Sequence, residues 1–131
     1  MSEFEKERRK AKKVQNCMKG SIALGALSCR LLALRRGLEA GREFDSWKFR
    51  EVVSLAADVR EAFGGKSSDA IEMAKALKEF NEKAVSHGAL EAVKKAEEAI
   101  PKIMNSASDQ CGRALRAPAS RKPKESVAPP A

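Results

Sequence analysis

Four residues between two helical segments carry the chain's nearest match to a nucleotide-binding motif. Gly64-Gly65-Lys66-Ser67 has the Gly-Lys-Ser end of a phosphate-binding loop. The full motif needs a glycine five residues earlier, where this chain has Arg60, and it follows a strand, whereas a helical pattern precedes it here. The four residues therefore predict a glycine-terminated helix and the cap of the next one.

The residues that could bind a metal are scattered along the sequence. His87 is the single histidine, and the three cysteines are Cys17, Cys29 and Cys111. Tetrahedral zinc needs about four ligands, which normally occur at short fixed spacings, and these four residues do not occur at such spacings. A Cys–His nucleophile pair has no more support than chance. We predict no metal site and no cofactor.

The acidic residues give no stronger case for catalysis. Glu79 and Glu91 each precede a lysine by four residues, which is typical of ion pairs on an exposed helical face. A di-metal helical bundle requires inward-facing Glu-x-x-His motifs, and the chain has no such motif. The sequence favours a non-enzymatic protein.

The cysteines also bear on the cellular compartment. An odd number without a close pair does not indicate a disulfide framework. Cys17 and Cys29 would lie roughly 18 Å apart on one helix, too far to bridge. We therefore predict buried, unpaired cysteines in a reducing compartment, the cytoplasm, or the nucleus if the source is eukaryotic or viral. Arg30 interrupts the apolar stretch 20–34, which argues against a membrane span.

Apolar spacing predicts an all-α fold, a helical bundle of about four helices. The chain has no Tyr and few β-branched residues, while Ala, Leu, Lys and Glu are abundant. Residues 1–104 form the predicted helical domain, in which 1–19 is a basic extension, and 105–131 form a disordered basic tail rich in Ala and Pro. Pro101 is expected to kink or end the last helix. The predicted helices span approximately 5–40, 45–63, 69–87 and 89–104.

Local signals mark the predicted helices after the first. Asp45 is a predicted N-cap, with Phe44 and Phe49 as a hydrophobic staple, and Asp69 with Glu72 predicts a capping box for the third helix. The inward face of the fourth helix is predicted from Leu90, Val93, Ala96, Ile100 and Ile103.

Five leucines mark the central helix. They recur at gaps of three and four residues, as in a helix that buries one side against another. They form either the inner wall of the bundle, which we favour, or an interface with a partner helix or a second copy. A second apolar stripe, including Met18, Ile22 and Cys29, predicts that the opposite side of this helix is buried too. Trp47 either covers the end of the first helix or is an exposed contact. The leucines are Leu24, Leu27, Leu31, Leu34 and Leu38.

The net charge of +8 is concentrated at the two ends of the chain. Residues 1–20 carry seven Lys or Arg against three Glu, and residues 113–131 carry five against one, while the middle of the chain is neutral. Basic arms on a neutral body favour an anionic partner. The candidate phosphate contacts are Arg8, Arg9, Lys12, Lys13, Lys19, Arg30, Arg113, Arg116, Arg121, Lys122 and Lys124.

These features lead to a functional hypothesis with two alternatives. The first is binding to the phosphate backbone of RNA or DNA without sequence specificity, because no zinc-finger or RNA-recognition motif is present. The second is an adaptor or assembly scaffold that uses the leucines or Trp47 as a homodimer or partner-helix interface. The third is a membrane-surface protein, which Glu3, Glu5 and Glu7 argue against.

Overall fold

The protein folds into four α-helices, as the sequence predicts. The structure used here is a computed structural model, and it describes residues 2–83 and 87–116. Within those ranges the helices are α1 (Glu3–Glu39), α2 (Ser46–Phe63), α3 (Ser68–Glu82) and α4 (Ala89–Arg116).

The four helices pack as neighbours in chain order. α1 contacts α2, α2 contacts α3, α3 contacts α4, and α4 returns to contact α1. Contacts between Gly20 and Phe63 and between Arg30 and Glu51 show that α1 and α2 are antiparallel. The pairing of Arg35 with Glu97 and of Cys17 with Cys111 shows the same for α1 and α4. Short connections between antiparallel helices produce this up-and-down arrangement.

The leucine stripe of α1 lies inside the bundle. Leu27 and Leu31 are fully buried, Leu24 and Leu34 are nearly so, and Leu38 packs against the core at its edge. They meet the buried faces of α2, α3 and α4, which include Phe49, Phe63, Leu77 and Ile103. The stripe is therefore the inner wall of one chain, and the alternative of a leucine interface with a partner is wrong.

The second apolar stripe of α1 faces the solvent, contrary to the sequence prediction. Met18 is 60% exposed and Ile22 is 72% exposed. Gly25 and Cys29 are exposed beside them, and a Cβ placed on Gly25 would have no atom within 4 Å. Gly20 differs, since its Cβ would lie 2.6 Å from Ala62 Cβ and from the Phe63 ring. Of these two glycines, Gly20 alone is needed for the close approach of α1 and α2.

α4 is longer than predicted. It passes through Pro101 and ends at Arg116, so the tail does not begin at residue 105. A proline inside a helix costs about 3 kcal/mol, because it removes a backbone donor and clashes with the preceding turn. Ile103, Ala107 and Ala114 are buried against the bundle beyond the proline, and their burial offsets this cost. Residues 117–131 lie outside the described ranges.

The helix ends follow local sequence signals with one exception. Asp45 caps α2 and accepts hydrogen bonds from the Trp47 and Lys48 amides, and Phe44 packs on Phe49 at 5.5 Å between ring centroids. This is the predicted hydrophobic staple. α3, however, is capped by the buried Ser67, one turn before the predicted Asp69–Glu72 capping box. The described part of α3 ends at Glu82, before the predicted end at residue 87.

Candidate nucleic-acid interface

A disulfide joins the two ends of the chain. Cys17 of α1 and Cys111 of α4 are bonded, with their Cα atoms 5.5 Å apart. Cys29 is free and exposed. The prediction of unpaired cysteines is therefore wrong for Cys17 and Cys111, because it ended α4 before Cys111. Cys29 is unpaired as predicted, but it is exposed and not buried. The disulfide also removes the cysteine argument for a reducing compartment, so the cytoplasmic location remains a prediction.

The disulfide places the basic ends of α1 and α4 side by side. α4 ends five residues after Cys111, and α1 extends fourteen residues before Cys17. The start of α1 therefore projects beyond the end of α4, by a length of several helical turns at 1.5 Å per residue. All residues from Ser2 to Arg9 are exposed. Ser2 caps this projecting helix through a reciprocal pair of hydrogen bonds with Glu5.

The cations of this segment of α1 are available to a ligand. Arg8, Arg9, Lys12, Lys13 and Lys19 are exposed, and none of the five forms an ion pair with another described residue. Arg8 instead lies over the Phe4 ring, 5.5 Å from its centroid. Exposed cations remain hydrated and charged, so they can contact phosphates along one helix.

Two further cations join this surface from other elements. Lys66, in the turn between α2 and α3, and Arg113 of α4 line a cleft of about 800 Å³ together with Lys13. Glu61 and Asp109 line the same cleft, and Asp109 binds Arg113 at 2.9 Å. Lys66 was missed as a candidate because its segment predicts only a turn, and the spacing does not show that α1 packs beside it. We call Arg8, Arg9, Lys12, Lys13, Lys19, Lys66 and Arg113 the basic end.

The remaining candidate cations are not part of the basic end. Arg30 is eleven residues beyond Lys19, about 16 Å along α1, and pairs with Glu51 of α2. Arg116 is the last described residue of α4. The other three tail residues, Arg121, Lys122 and Lys124, lie outside the described residues.

Trp47 is exposed at the start of α2. It is 74% exposed, and Arg50 lies over its ring at 5.2 Å from the centroid. The favoured prediction, that Trp47 covers the end of α1, is therefore wrong, and its other interpretation as an exposed contact remains. Trp47 is not part of the basic end.

No family model, curated protein or solved structure matches this chain. Function must therefore be argued from the surfaces themselves. Among residues 2–83 and 87–116, no three His, Cys, Asp or Glu side chains come together in a group that could hold a metal ion. His87 is exposed in the turn before α4.

The opposite end of the α1–α4 pair is held by an ion-pair network. Arg35 donates through Nε to Glu97 at 2.6 Å and also pairs with Glu39, which Lys94 approaches. The hydrogen bond that Arg35 donates to Glu97 is the main reason that the pKa of Arg35 is raised above its ordinary value. Because this pKa is raised, the stabilisation from the charged Arg35 side chain is fully present at neutral pH and is lost only when the pH rises through the pKa of Arg35 in the folded state. Its role is structural.

α1 also meets the length and composition criteria for a membrane-spanning helix. An 18-residue window has a mean hydropathy of 1.4. In that window 39% of the residues are buried inside the bundle, and the leucine stripe accounts for most of them. Core helices and signal sequences pass the same test, so the criterion alone assigns no membrane role.

Proposed function

We propose that this protein binds nucleic acid without sequence specificity, through the phosphate backbone, at the basic end. The observation that carries the proposal is the Cys17–Cys111 disulfide. It brings the start of α1, which carries the N-terminal excess of positive charge, together with the end of α4, which carries Arg113 and Arg116 and leads into the basic C-terminal residues of the sequence. Sequence-independent binding needs closely spaced cations that can replace condensed counterions.

The shape of the basic end favours a duplex. Sites for single strands commonly stack bases on aromatic side chains. Among the described residues, Phe4 is the one aromatic ring beside the cations of the basic end, and Arg8 already covers one of its faces. A projecting helix with lysines and arginines on successive turns can instead follow the phosphates of one groove edge, while Lys66 and Arg113 contact a neighbouring stretch.

A salt titration tests the proposal directly. Fluorescently labelled duplex RNA, duplex DNA and a single strand are titrated with the full chain at several salt concentrations. We expect the tightest binding to a duplex, with affinity falling steeply as salt rises. Absence of binding to all three probes at low salt would refute the proposal, and preference for the single strand would refute the duplex assignment.

A matched pair of variants locates the site. The triple variant Arg9→Gln, Lys12→Gln, Lys13→Gln removes three charges from the basic end. The control Lys48→Gln, Lys75→Gln, Lys78→Gln removes three exposed charges outside the basic end. If all three basic-end residues contact phosphates, the slope of log affinity against log salt falls by about 2.7 for a DNA duplex in the first variant and stays nearly unchanged in the control. Equal losses would mean that net charge, rather than this surface, governs binding.

A partner-docking role is the second candidate, and it now depends on Trp47 instead of the leucines. The exposed ring and the cation above it form a small contact surface at the start of α2. Trp47→Ala is expected to leave duplex affinity unchanged, because the residue lies outside the basic end. A large loss of duplex affinity in Trp47→Ala would place nucleic acid on this surface instead.

A further inference from the structure

The solvent-facing side of α1 and α4 carries no charged residue over a long distance. This surface extends along α1 from Ala11 to Ala33 and along α4 from Pro101 to Gly112. The groove between the two helices is lined by uncharged residues alone, and at Ile22 the surface is bordered by Lys19, Asp58 and Glu61 of the α1–α2 groove. We call it the uncharged face. In a chain where 34% of the residues are charged, such a surface is not expected by chance, and a large uncharged surface is typical of an interaction site.

Most charged residues of the same segments lie beside other elements, and Lys12 and Lys13 belong to the basic end. On α1, Arg30 pairs with Glu51, and Lys19 lines the α1–α2 groove together with Ile22. On α4, Lys102 lines the groove towards α3, and Asp109 lines the cleft at the basic end. Each helix carries charged residues in this range, but the orientation of the helices directs them away from the uncharged face.

The uncharged face contains both ridges and a groove. Met18, Ile22 and Met104 are more than half exposed and form the ridges. Between α1 and α4 is a groove of about 430 Å³, lined by small residues that include Ser21, Gly25 and Ser108. A two-fold axis brings the same surface of two copies together, so a face that carries adjacent ridges and grooves can be complementary to itself.

We propose that the uncharged face is the interface of a homodimer. The α1 part of the face is about 33 Å long and the α4 part about 17 Å long at 1.5 Å per residue, and each helix is about 10 Å wide. This footprint of roughly 500 Å² per partner, or about 1,000 Å² for two copies, reaches the lower limit of a specific interface before the relief of the ridges is added. Two antiparallel helix pairs would then pack as the four helices of a second bundle.

The groove favours a second copy over a lipid surface. It presents the hydroxyl groups of Ser21 and Ser108, which protein contacts satisfy better than lipid chains do.

The test is the molecular mass in solution, measured with Cys29→Ser as the reference to exclude adventitious disulfides. We expect a concentration-dependent dimer of the 14.2 kDa chain in sedimentation equilibrium. Adding Ile22→Asp should raise the dimer dissociation constant at least about 100-fold, because a carboxylate would be buried without a partner. Its circular dichroism should match that of the reference, since Ile22 is 72% exposed.

Trp47→Asp is the matched control, since Trp47 is equally exposed but lies on α2. We expect it to remain dimeric. A reference protein that is monomeric at every concentration, or an Ile22→Asp variant that dimerises as tightly as the reference, would overturn the proposal. A third outcome would also overturn it: the reference protein is monomeric and binds phosphatidylcholine vesicles, and Ile22→Asp abolishes that binding. Lipid would then be the occupant of the face.

Cross-linking gives a second measurement that does not depend on stability. Cys29 is the free cysteine of the chain and lies on the uncharged face, about 10 Å along α1 from Ile22 at the centre of the face. A bis-maleimide that spans about 20 Å should join two wild-type chains through this thiol. The variant Cys29→Ser, Ser54→Cys moves the thiol to the exposed side of α2 and should not cross-link. Equal cross-linking of both proteins would contradict the proposed interface.

The dimer does not require nucleic-acid binding, and the two proposals can fail separately.

Discussion

Gly20 and Gly25 differ sharply in their surroundings, although both lie within α1. Alanine is favoured over glycine in a helix by about 1 kcal/mol. At Gly25 there is space for the added methyl group, whereas at Gly20 it would lie 2.6 Å from Ala62 and Phe63. We expect Gly25→Ala to raise the free energy of unfolding by about 1 kcal/mol and Gly20→Ala to lower it by about 1–2 kcal/mol, since overpacking outweighs helix propensity.

Both substitutions are best compared by urea unfolding in the Ile22→Asp background. Gly25 lies on the proposed dimer interface, and a background designed to prevent dimerisation isolates the stability of the folded chain. Stabilisation by both alanines would show that α1 and α2 are farther apart at Gly20 than in this structure.

Sequence predicts single residues well where their role is local. The Asp45 cap and the Phe44–Phe49 contact depend on spacing within one turn, and both were confirmed. Trp47 and Lys66 were not predicted correctly, because their surroundings depend on how other helices pack. A residue's exposed fraction and its neighbours on other helices are properties of tertiary structure, and a single sequence does not specify them.

At the scale of the element, the disulfide determines how firmly the end of α4 is held. It links residues 94 positions apart, so it restricts the unfolded chain strongly. We expect the double variant Cys17→Ser, Cys111→Ser to lose about 2–4 kcal/mol of stability, measured by thermal unfolding without reductant. The amides after Met104 should also exchange faster with solvent, since mainly small side chains such as Ala107 and Ala114 hold this part of α4.

The control for the disulfide is Cys29→Ser, which should be nearly neutral because Cys29 is free and exposed. Reducing agent should destabilise the wild type but not the double serine variant. If reductant has no effect on the wild type, Cys17 and Cys111 are not bonded in the purified protein.

Pro101 gives a second prediction for α4. Its ring lies on an exposed side of the helix, and the helix continues for fifteen residues beyond it. Pro101→Ala should restore a backbone donor within α4 and stabilise the protein by about 1–3 kcal/mol, observed as a higher melting temperature. Destabilisation would show that the packing of Ile103 and Ala107 depends on a proline-induced bend.

The same helix shows why boundaries are harder to predict than helices. The pattern Leu90, Val93, Ala96, Ile100 and Ile103 gave α4 correctly, but the later turns bury alanines, and Pro101 suggested an end. Alanine carries little hydrophobic signal, although it packs well where helices lie close together. The prediction therefore ended twelve residues early and missed Cys111 as the disulfide partner.

At the scale of the whole molecule, the fold class and the number of helices followed from the sequence. The arrangement of the helices around α1 did not. Both sides of α1 are apolar, and periodicity alone does not show which side the other helices cover. The structure assigns the leucine side to the core and leaves the side with Met18 and Ile22 open. The candidate interface with a second copy is therefore the uncharged face and not the leucine stripe.

One pair of substitutions tests that assignment for the molecule as a whole. Leu31→Asp places a carboxylate at a fully buried position, where an unpaired charge costs several kcal/mol. Because a small domain is stable by only about 5–15 kcal/mol, we expect Leu31→Asp to lose most of its helical circular dichroism. Ile22→Asp, about two and a half turns earlier and therefore on the opposite side, should keep a folded, monomeric chain. The two variants carry the same charge on the same helix, so composition and helix propensity are nearly matched between them. A folded monomer in both cases would show that neither side of α1 faces a core, and unfolding in both would show that the bundle encloses α1 on all sides.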